Sequence, residues 1–179
     1  MSTFTIIVPI FNEKDNLSRL ESELVSFVNS TVFETKVLLI NDGSTDGSED
    51  IINEICKKND FFESISFIKN SGLSSALKAG FDLCNSEYIG YIDADLQTSP
   101  SDFHVLLKYI DQYDLVTGYR SNRKDSYLKN ISSLVANGIR NIFTSDGVND
   151  TGCPLKVIKT DFAKRIPMFK GLHRFLPAM

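Results

Sequence analysis

From its first residues the chain alternates short apolar runs with amphipathic stretches. Residues 4–10, Phe-Thr-Ile-Ile-Val-Pro-Ile, have the β-branched bias of a strand. Residues 16–29 follow with Leu17, Leu20, Leu24, Phe27 and Val28, the spacing of one helical face. Residues 37–40, Val-Leu-Leu-Ile, predict a second strand, and Ile51, Ile52 and Ile55 mark a second helix. A third strand is expected over 65–68, a third helix over 73–84 and a fourth strand over 88–92. A fourth helix is expected over 100–111 and a fifth strand over 115–118. Ser99-Pro100-Ser101-Asp102 supplies that fourth helix with a cap, a proline at its first position and an acid in its first turn. Strands that are apolar throughout, separated by helices of about 10–15 residues, predict a mostly parallel sheet covered on both faces. Right-handed crossovers then bring the carboxyl ends of the strands to one edge. A further apolar-periodic helix is expected over 127–143 (Leu128, Ile131, Leu134, Val135, Ile139, Ile142, Phe143). Packing on the sheet is favoured for it over lying at a membrane interface.

The polar chemistry gathers at that edge. Pro9-Ile10-Phe11-Asn12-Glu13 follows the first strand, and Asn41-Asp42-Gly43-Ser44-Thr45-Asp46-Gly47-Ser48 follows the second. Lys69-Asn70-Ser71-Gly72, Asp93-Ala94-Asp95-Leu96-Gln97 and Gly118-Tyr119-Arg120 follow the next three. Glycine and polar residues are ordinary in any one loop, but not as short clusters at the same end of five strands. Asp93 and Asp95 are two residues apart, so on extended chain they point to one side. Such a pair repels itself unless a cation is near. Hard oxygen ligands with open positions suit Mg²⁺ or Mn²⁺, which in turn hold a diphosphate. An isolated Asp-x-Asp is more often a solvated turn; here its neighbours in the other loops raise its weight.

With 179 residues, 42% of them hydrophobic, the chain fits one domain with a sizeable core and is too apolar for disorder. Cys56, Cys84 and Cys153 are scattered and form no Cys-x-x-Cys pair, which argues for a reducing compartment without a structural zinc site. His104 and His173 have no spaced partner. No apolar run is long enough to span a bilayer, and with no basic n-region no signal peptide is expected. The net charge of −4 hides a split. Residues 1–118 hold 8 Lys/Arg against 19 Asp/Glu, −11, whereas residues 119–179 hold 11 against 4, +7. The basic third is matched to an anionic partner or is a solvated surface.

Read together in order, these blocks resemble family 2 glycosyltransferases of the GT-A fold, and among them the polyprenyl-phosphate (dolichol-phosphate) sugar synthases. The matching residues are 8–13, 39–48, Asn70-Ser71-Gly72 with the helix to Gly80, and Asp93-Ala94-Asp95-Leu96-Gln97. Gly118-Tyr119-Arg120, Asp150-Thr151-Gly152-Cys153-Pro154-Leu155-Lys156 and His173-Arg174-Phe175-Leu176-Pro177 complete the match. The resemblance implies a Rossmann-like three-layer α/β/α sandwich, one catalytic domain over 1–179, with 1–118 as its nucleotide-binding half and 119–179 as its acceptor side. Relatives usually continue beyond Pro177, many with membrane helices, so a C-terminally truncated enzyme is expected.

The resemblance also implies roles. Pro9, Phe11, Asn12 and Glu13 would border base and ribose; Glu13 also reads as a first-turn acid of the helix that follows. Asp42 would accept the N–H that uracil and guanine carry on their pairing edge, which favours a UDP- or GDP-sugar. Ser44, Asn70, Gly72 and Ala94 would join the donor site, with Asn70 equally readable as a helix cap. Asp95 would ligate Mn²⁺ or Mg²⁺, Asp93 would hold the ribose, a metal-bound water or the ion itself, and Gln97 would offer a third oxygen. Arg120 would bind a phosphate of donor or acceptor.

The implied reaction is an inverting transfer of a hexosyl-type sugar. If the acceptor is a lipid phosphate, its oxygen is already anionic, and Arg123, Lys124, Lys156 and Arg174 are candidates to hold it. If the acceptor is a saccharide hydroxyl, a base is needed, and Asp150 is the candidate. The implied setting is the cytoplasmic face of a membrane, with peripheral contact or an anchor in the full-length protein. No nucleic-acid partner is expected, and homo-oligomerisation stays open. A non-catalytic nucleotide-sugar binding module is a second reading. A dinucleotide-dependent oxidoreductase is disfavoured, because Pro-Ile-Phe-Asn-Glu stands where Gly-x-Gly-x-x-Gly would be required.

Overall fold

The computed structural model describes residues 2–119, 152–173 and 176. The described strands are β1 (Thr3–Ile10), β2 (Glu34–Asn41), β3 (Phe62–Ser66), β4 (Tyr88–Tyr91), β5 (Leu115–Thr117) and β6 (Lys156–Lys159). The described helices are α1 (Leu17–Ser30), α2 (Ser48–Lys58), α3 (Leu73–Leu83), α4 (Phe103–Leu106) and α5 (Thr160–Arg165). The strands form one sheet in the order β3-β2-β1-β4-β6-β5. β1 lies parallel to both β2 and β4, and β2 is parallel to β3. β6 runs antiparallel to β4 and to β5. β5 therefore points the same way as β4, and the carboxyl ends of β1 to β5 share one edge.

The continuous apolar strands are explained by two cores, one on each face. Phe4, Ile6, Val8 and Ile10 of β1, with Val37 and Leu39 of β2, pack against Leu17, Leu20, Leu24 and Phe27 of α1. Ile52 and Ile55 of α2 and Phe103 and Leu106 of α4 complete that layer. Ile7, Leu38, Ile40 and Ile89 point to the opposite face, against Ala76, Leu77 and Phe81 of α3 and Ala163 of α5. The result is the expected three-layer α/β/α sandwich. Each fully buried Leu, Ile or Phe contributes about 1.5–3 kcal/mol by leaving water, so the sheet is fixed from both sides. Phe4, Phe27 and Phe103 meet edge-on or tilted at centroid distances of 5.4 to 6.2 Å, a favourable arrangement for aromatic quadrupoles. The three cysteines form no disulfide.

Four elements depart from the sequence expectation. The third strand lies earlier, at Phe62–Ser66, and Ile68 is fully exposed. Among the described strands it lies at the edge, paired with β2 from Val37↔Phe62 to Asn41↔Ser66, so it alternates rather than running apolar. The helix expected over 100–111 is a 3₁₀ turn, Pro100–Asp102, followed by the single turn of α4. Ser99 caps it as expected, accepting from the Ser101 amide. Beyond α4 the amides of Tyr109 and Gln112 reach back only three residues, to Leu106 and Tyr109, so the chain tightens into turns. β6 and α5 had no counterpart in the periodicity, because Lys-Val-Ile-Lys hides a strand between two lysines. The helix expected over 127–143 lies outside the described residues.

Candidate functional site

A cleft of about 320 Å³ opens at the carboxyl edge of the sheet, where the loops after β1, β2, β3 and β4 converge. Its walls are Pro9, Ile10, Phe11 and Glu13 from the first loop and Asp42 from the second. Asn70, Gly72 and Leu73 come from the third, and Asp93, Ala94 and Asp95 from the fourth. Eight of the ten residues expected around the nucleotide thus share one cavity, together with Asp95. Ile10 and Leu73 are additions that the sequence did not single out; as apolar residues at element ends they look like core.

Asn12 and Ser44 do not line the cleft; they tie its walls together. The Asn12 amide donates to Ser44 Oγ at 3.0 Å, and the Thr45 amide donates to Asn12 Oδ1 at 2.8 Å. Next to them the Glu13 amide donates to Ser48 Oγ and the Lys14 amide to Asp46 Oδ2. Asp46 Oδ1 also accepts from the Ser48 hydroxyl at 2.6 Å and from its amide at 3.0 Å. The Ser48 hydroxyl, more than any other neighbour, holds the Asp46 carboxyl below the usual aspartate range. Asn12 adopts φ 55°, a left-handed conformation that asparagine tolerates better than most residues.

Asp42 is buried and bonds both of its oxygens to backbone, accepting the Ser71 amide at 2.7 Å and the Gly72 amide at 2.8 Å. It therefore holds the amides that lead into α3, where a negative charge is favourable. A carboxylate oxygen can accept more than one hydrogen bond, and Asp42 also lines the cleft. Asn70 does not cap α3: the cap position is Gly72, and no side chain of the helix's own start caps it. Gly43, at φ +69°, lets the second loop press on the third. A Cβ there would stand 2.5 Å from the Asn70 nitrogen and 2.5 Å from the Lys69 carbonyl carbon. Glu13 accepts from the Asn16 side-chain amide at 2.6 Å, which steadies the entry to α1.

The fourth loop is the anionic wall. Tyr91, the last residue of β4, donates its hydroxyl to Asp93 Oδ1 at 2.6 Å. Burial first, then the charge of Asp93 beside it, push the Tyr91 phenol well above its ordinary pKa, so it stays protonated and donates. Asp95 Oδ1 accepts from the Gln97 amide at 3.2 Å. Between them Leu96 sits at φ 53° with its side chain buried in the core. That turn carries Gln97 to the far side. It lines a separate groove with Arg19, Glu23, Phe27 and Ser30, against α1. Gln97, expected as a third metal oxygen, thus lines this groove and not the cleft, and meets Asp95 through its backbone amide.

Among the described residues no group of three His, Cys, Asp or Glu side chains is gathered around one point. Asp93 and Asp95 supply two hard oxygen donors on one wall. That set fits an ion that keeps waters and phosphate oxygens among its ligands, as Mg²⁺ and Mn²⁺ do, and does not fit an all-protein cage. Lys156 is also placed differently from its expected role at an acceptor phosphate. It is 2% exposed, donates from Nζ to the Cys153 carbonyl, and lies 5.5 Å from the Tyr91 ring centroid. Arg120, Asp150, Arg123, Lys124 and Arg174 lie outside the described residues. No described helix is long and apolar enough to cross a membrane.

This architecture is that of the GT-A glycosyltransferases. Mannosyl-3-phosphoglycerate synthase of Rubrobacter xylanophilus superposes with a TM-score of 0.73 at 15% identity, over 90% of this chain and 54% of that one. A mannosyltransferase of Pyrobaculum calidifontis, solved with GDP-Man and Mn²⁺, superposes with a TM-score of 0.66 at 15% identity, over 93% and 47%. The chain belongs to glycosyl transferase family 2, whose family model matches residues 5–165. Among curated relatives, the dodecaprenyl-phosphate galacturonate synthase of Rhizobium johnstonii is 29% identical over 97% of this chain and 53% of its own length. The undecaprenyl-phosphate 4-deoxy-4-formamido-L-arabinose transferase of Edwardsiella ictaluri is 28% identical over 98% and 54%. The chain thus spans about half the length of the curated relatives it matches.

Proposed function

We propose that this chain is the donor-binding catalytic domain of a transferase that moves a sugar from a UDP- or GDP-sugar onto a polyprenyl phosphate. The observation that carries this reading is the cleft itself, in which Asp42, Asp93 and Asp95 face one space large enough for a nucleotide. The names of the two curated relatives support the lipid-phosphate acceptor. Solved neighbours of the same fold bound to GDP-Man with Mn²⁺, or to UDP-glucose with Mn²⁺, support the donor class.

The residues divide the work. Asp42 accepts the imide N–H of uracil or guanine while its hold on the Ser71 and Gly72 amides keeps it in place. Phe11, 46% exposed at the mouth, offers an apolar face to the base or ribose. Asp93 and Asp95 face the diphosphate, and two carboxylates beside a diphosphate repel it strongly unless the charge is balanced. A divalent ion, when bound there, neutralises the charge that builds on the departing nucleoside diphosphate. Direct displacement at the anomeric carbon by the lipid phosphate inverts that centre. The attacking oxygen is anionic at neutral pH, so the domain needs to position it and offset phosphate–phosphate repulsion rather than remove a proton. Arg120 and the basic residues 119–179 are the groups for that task. A polyprenyl acceptor sets the catalytic edge against a membrane surface.

The test uses the full-length protein with radiolabelled UDP- and GDP-sugars, Mn²⁺, and either undecaprenyl phosphate or free oligosaccharide. Label moving into the lipid phase, dependent on undecaprenyl phosphate, is the expected result. Label on the oligosaccharide alone would replace the lipid acceptor with a saccharide hydroxyl. Donor binding without transfer to either would favour a binding module.

A further inference from the structure

The Asp-x-Asp pair is not held by its own loop alone. Tyr91 is 3% exposed, and its hydroxyl reaches Asp93 Oδ1 at 2.6 Å from the last position of β4. Its place in the sheet is fixed by register with β6, where Tyr91 stands opposite Lys156. The Lys156 ammonium lies over the Tyr91 ring, 5.5 Å from its centroid, and also donates to the Cys153 carbonyl. A cation over a buried phenol face holds the ring and favours donation by its hydroxyl. The Asp93 carboxylate thus accepts from a side chain anchored in the sheet.

We propose that Tyr91 is a positioning residue for the divalent cation. By fixing Asp93 Oδ1, it sets the rotamer of Asp93 and turns the other oxygen of that carboxylate toward the ion or its bound water. Outer partners of this kind orient metal-binding carboxylates, and their loss typically weakens metal affinity about 10–100-fold. The inference rests on the metal-dependent donor site proposed above. It adds a residue that the sequence hides, since Tyr91 sits within an apolar strand and its relation to Asp93 appears only in the fold.

The test is a titration of the full-length protein with Mn²⁺, following the free-ion EPR signal at saturating UDP and, separately, saturating GDP. Tyr91→Phe keeps the ring, its burial and its contact with Lys156, and removes only the hydroxyl. It is expected to raise the Mn²⁺ concentration at half-saturation about tenfold or more. In an Asp93→Ala background, removing the hydroxyl is expected to change nothing further, because a residue acting through Asp93 has nothing left to position. Mn²⁺ affinity unchanged in Tyr91→Phe, while Asp95→Asn loses the ion, would overturn this proposal and leave the donor-site reading standing. An equal loss in both backgrounds would also overturn it, by showing that Tyr91 acts elsewhere. A wild type whose Mn²⁺ binding ignores both nucleotides would remove both the tether and the reading beneath it.

Discussion

At the scale of single residues, the cleft depends on a close approach of two loops at Gly43. Gly43 and Gly72 both have positive φ, +69° and +89°. Only Gly43 also has backbone within 3 Å of where a Cβ would stand; at Gly72 nothing lies within 4 Å. Alanine at Gly72, whose φ 89° and ψ 156° lie in a region essentially reserved for glycine, meets backbone strain of about 1–3 kcal/mol. At Gly43 alanine meets strain at positive φ and must in addition push the third loop away from the second. Gly43→Ala is therefore expected to destabilise the protein by at least about 2 kcal/mol, read from the urea unfolding midpoint. A midpoint at the wild-type value would show that the approach of the loops carries no weight. The same scale shows where sequence reasoning stopped. Asp42, Asp93 and Asp95 were legible because acids at strand ends need a reason. Asn12 and Ser44 were assigned to the ligand, yet they bond each other's loops, and nothing in sequence says which way a loop amide or hydroxyl turns. Gln97 lines the neighbouring groove and not the cleft, after a turn at Leu96 with positive φ that the sequence does not announce.

At the scale of elements, the loops after β1 and β2 act as one body. Four backbone amides, of Asn12, Glu13, Lys14 and Thr45, are satisfied across the gap between them. Asp46 is the anionic centre of that lock, with its carboxyl lowered chiefly by the Ser48 hydroxyl. A carboxyl that binds its proton less well when folded contributes stability that is complete above its unfolded pKa. That stability is lost as pH falls through the folded value. Asp46→Ala is therefore expected to lower Tm near neutral pH and to show a shallower further fall between about pH 5 and about pH 3 than the wild type. Parallel Tm curves for the two proteins across that range would contradict the lock. The elements themselves were legible in proportion to how completely they are buried. β1, β2 and β4 are covered on both faces and read as unbroken apolar runs. β3 is an edge strand, so the reading slid toward Ile65-Ser66-Phe67-Ile68 and past its true start at Phe62. β6 escaped because two lysines frame it, and one of them, Lys156, is buried against Tyr91.

At the scale of the whole molecule, sheet topology and site are the same fact. Parallel β1 to β4 place four loops at one edge, and the antiparallel β6 starts at that edge beside the end of β4 and carries the chain away from it. The charge split follows this plan: every residue that lines the cleft lies in the acidic 1–118, and the proposed acceptor side is the basic 119–179. Carboxylates on the wall of a site repel a nucleoside diphosphate unless a cation offsets their charge. That makes metal-dependent nucleotide binding the central claim, and thermal stabilisation reads it directly. UDP or GDP with Mn²⁺ is expected to raise the Tm of the wild type, by about 2.7 kcal/mol of added stability at a hundredfold excess over Kd. Chelator or Asp95→Asn is expected to abolish that rise. Equal stabilisation by the nucleotide in chelator, or in Asp95→Asn with Mn²⁺, would contradict the account.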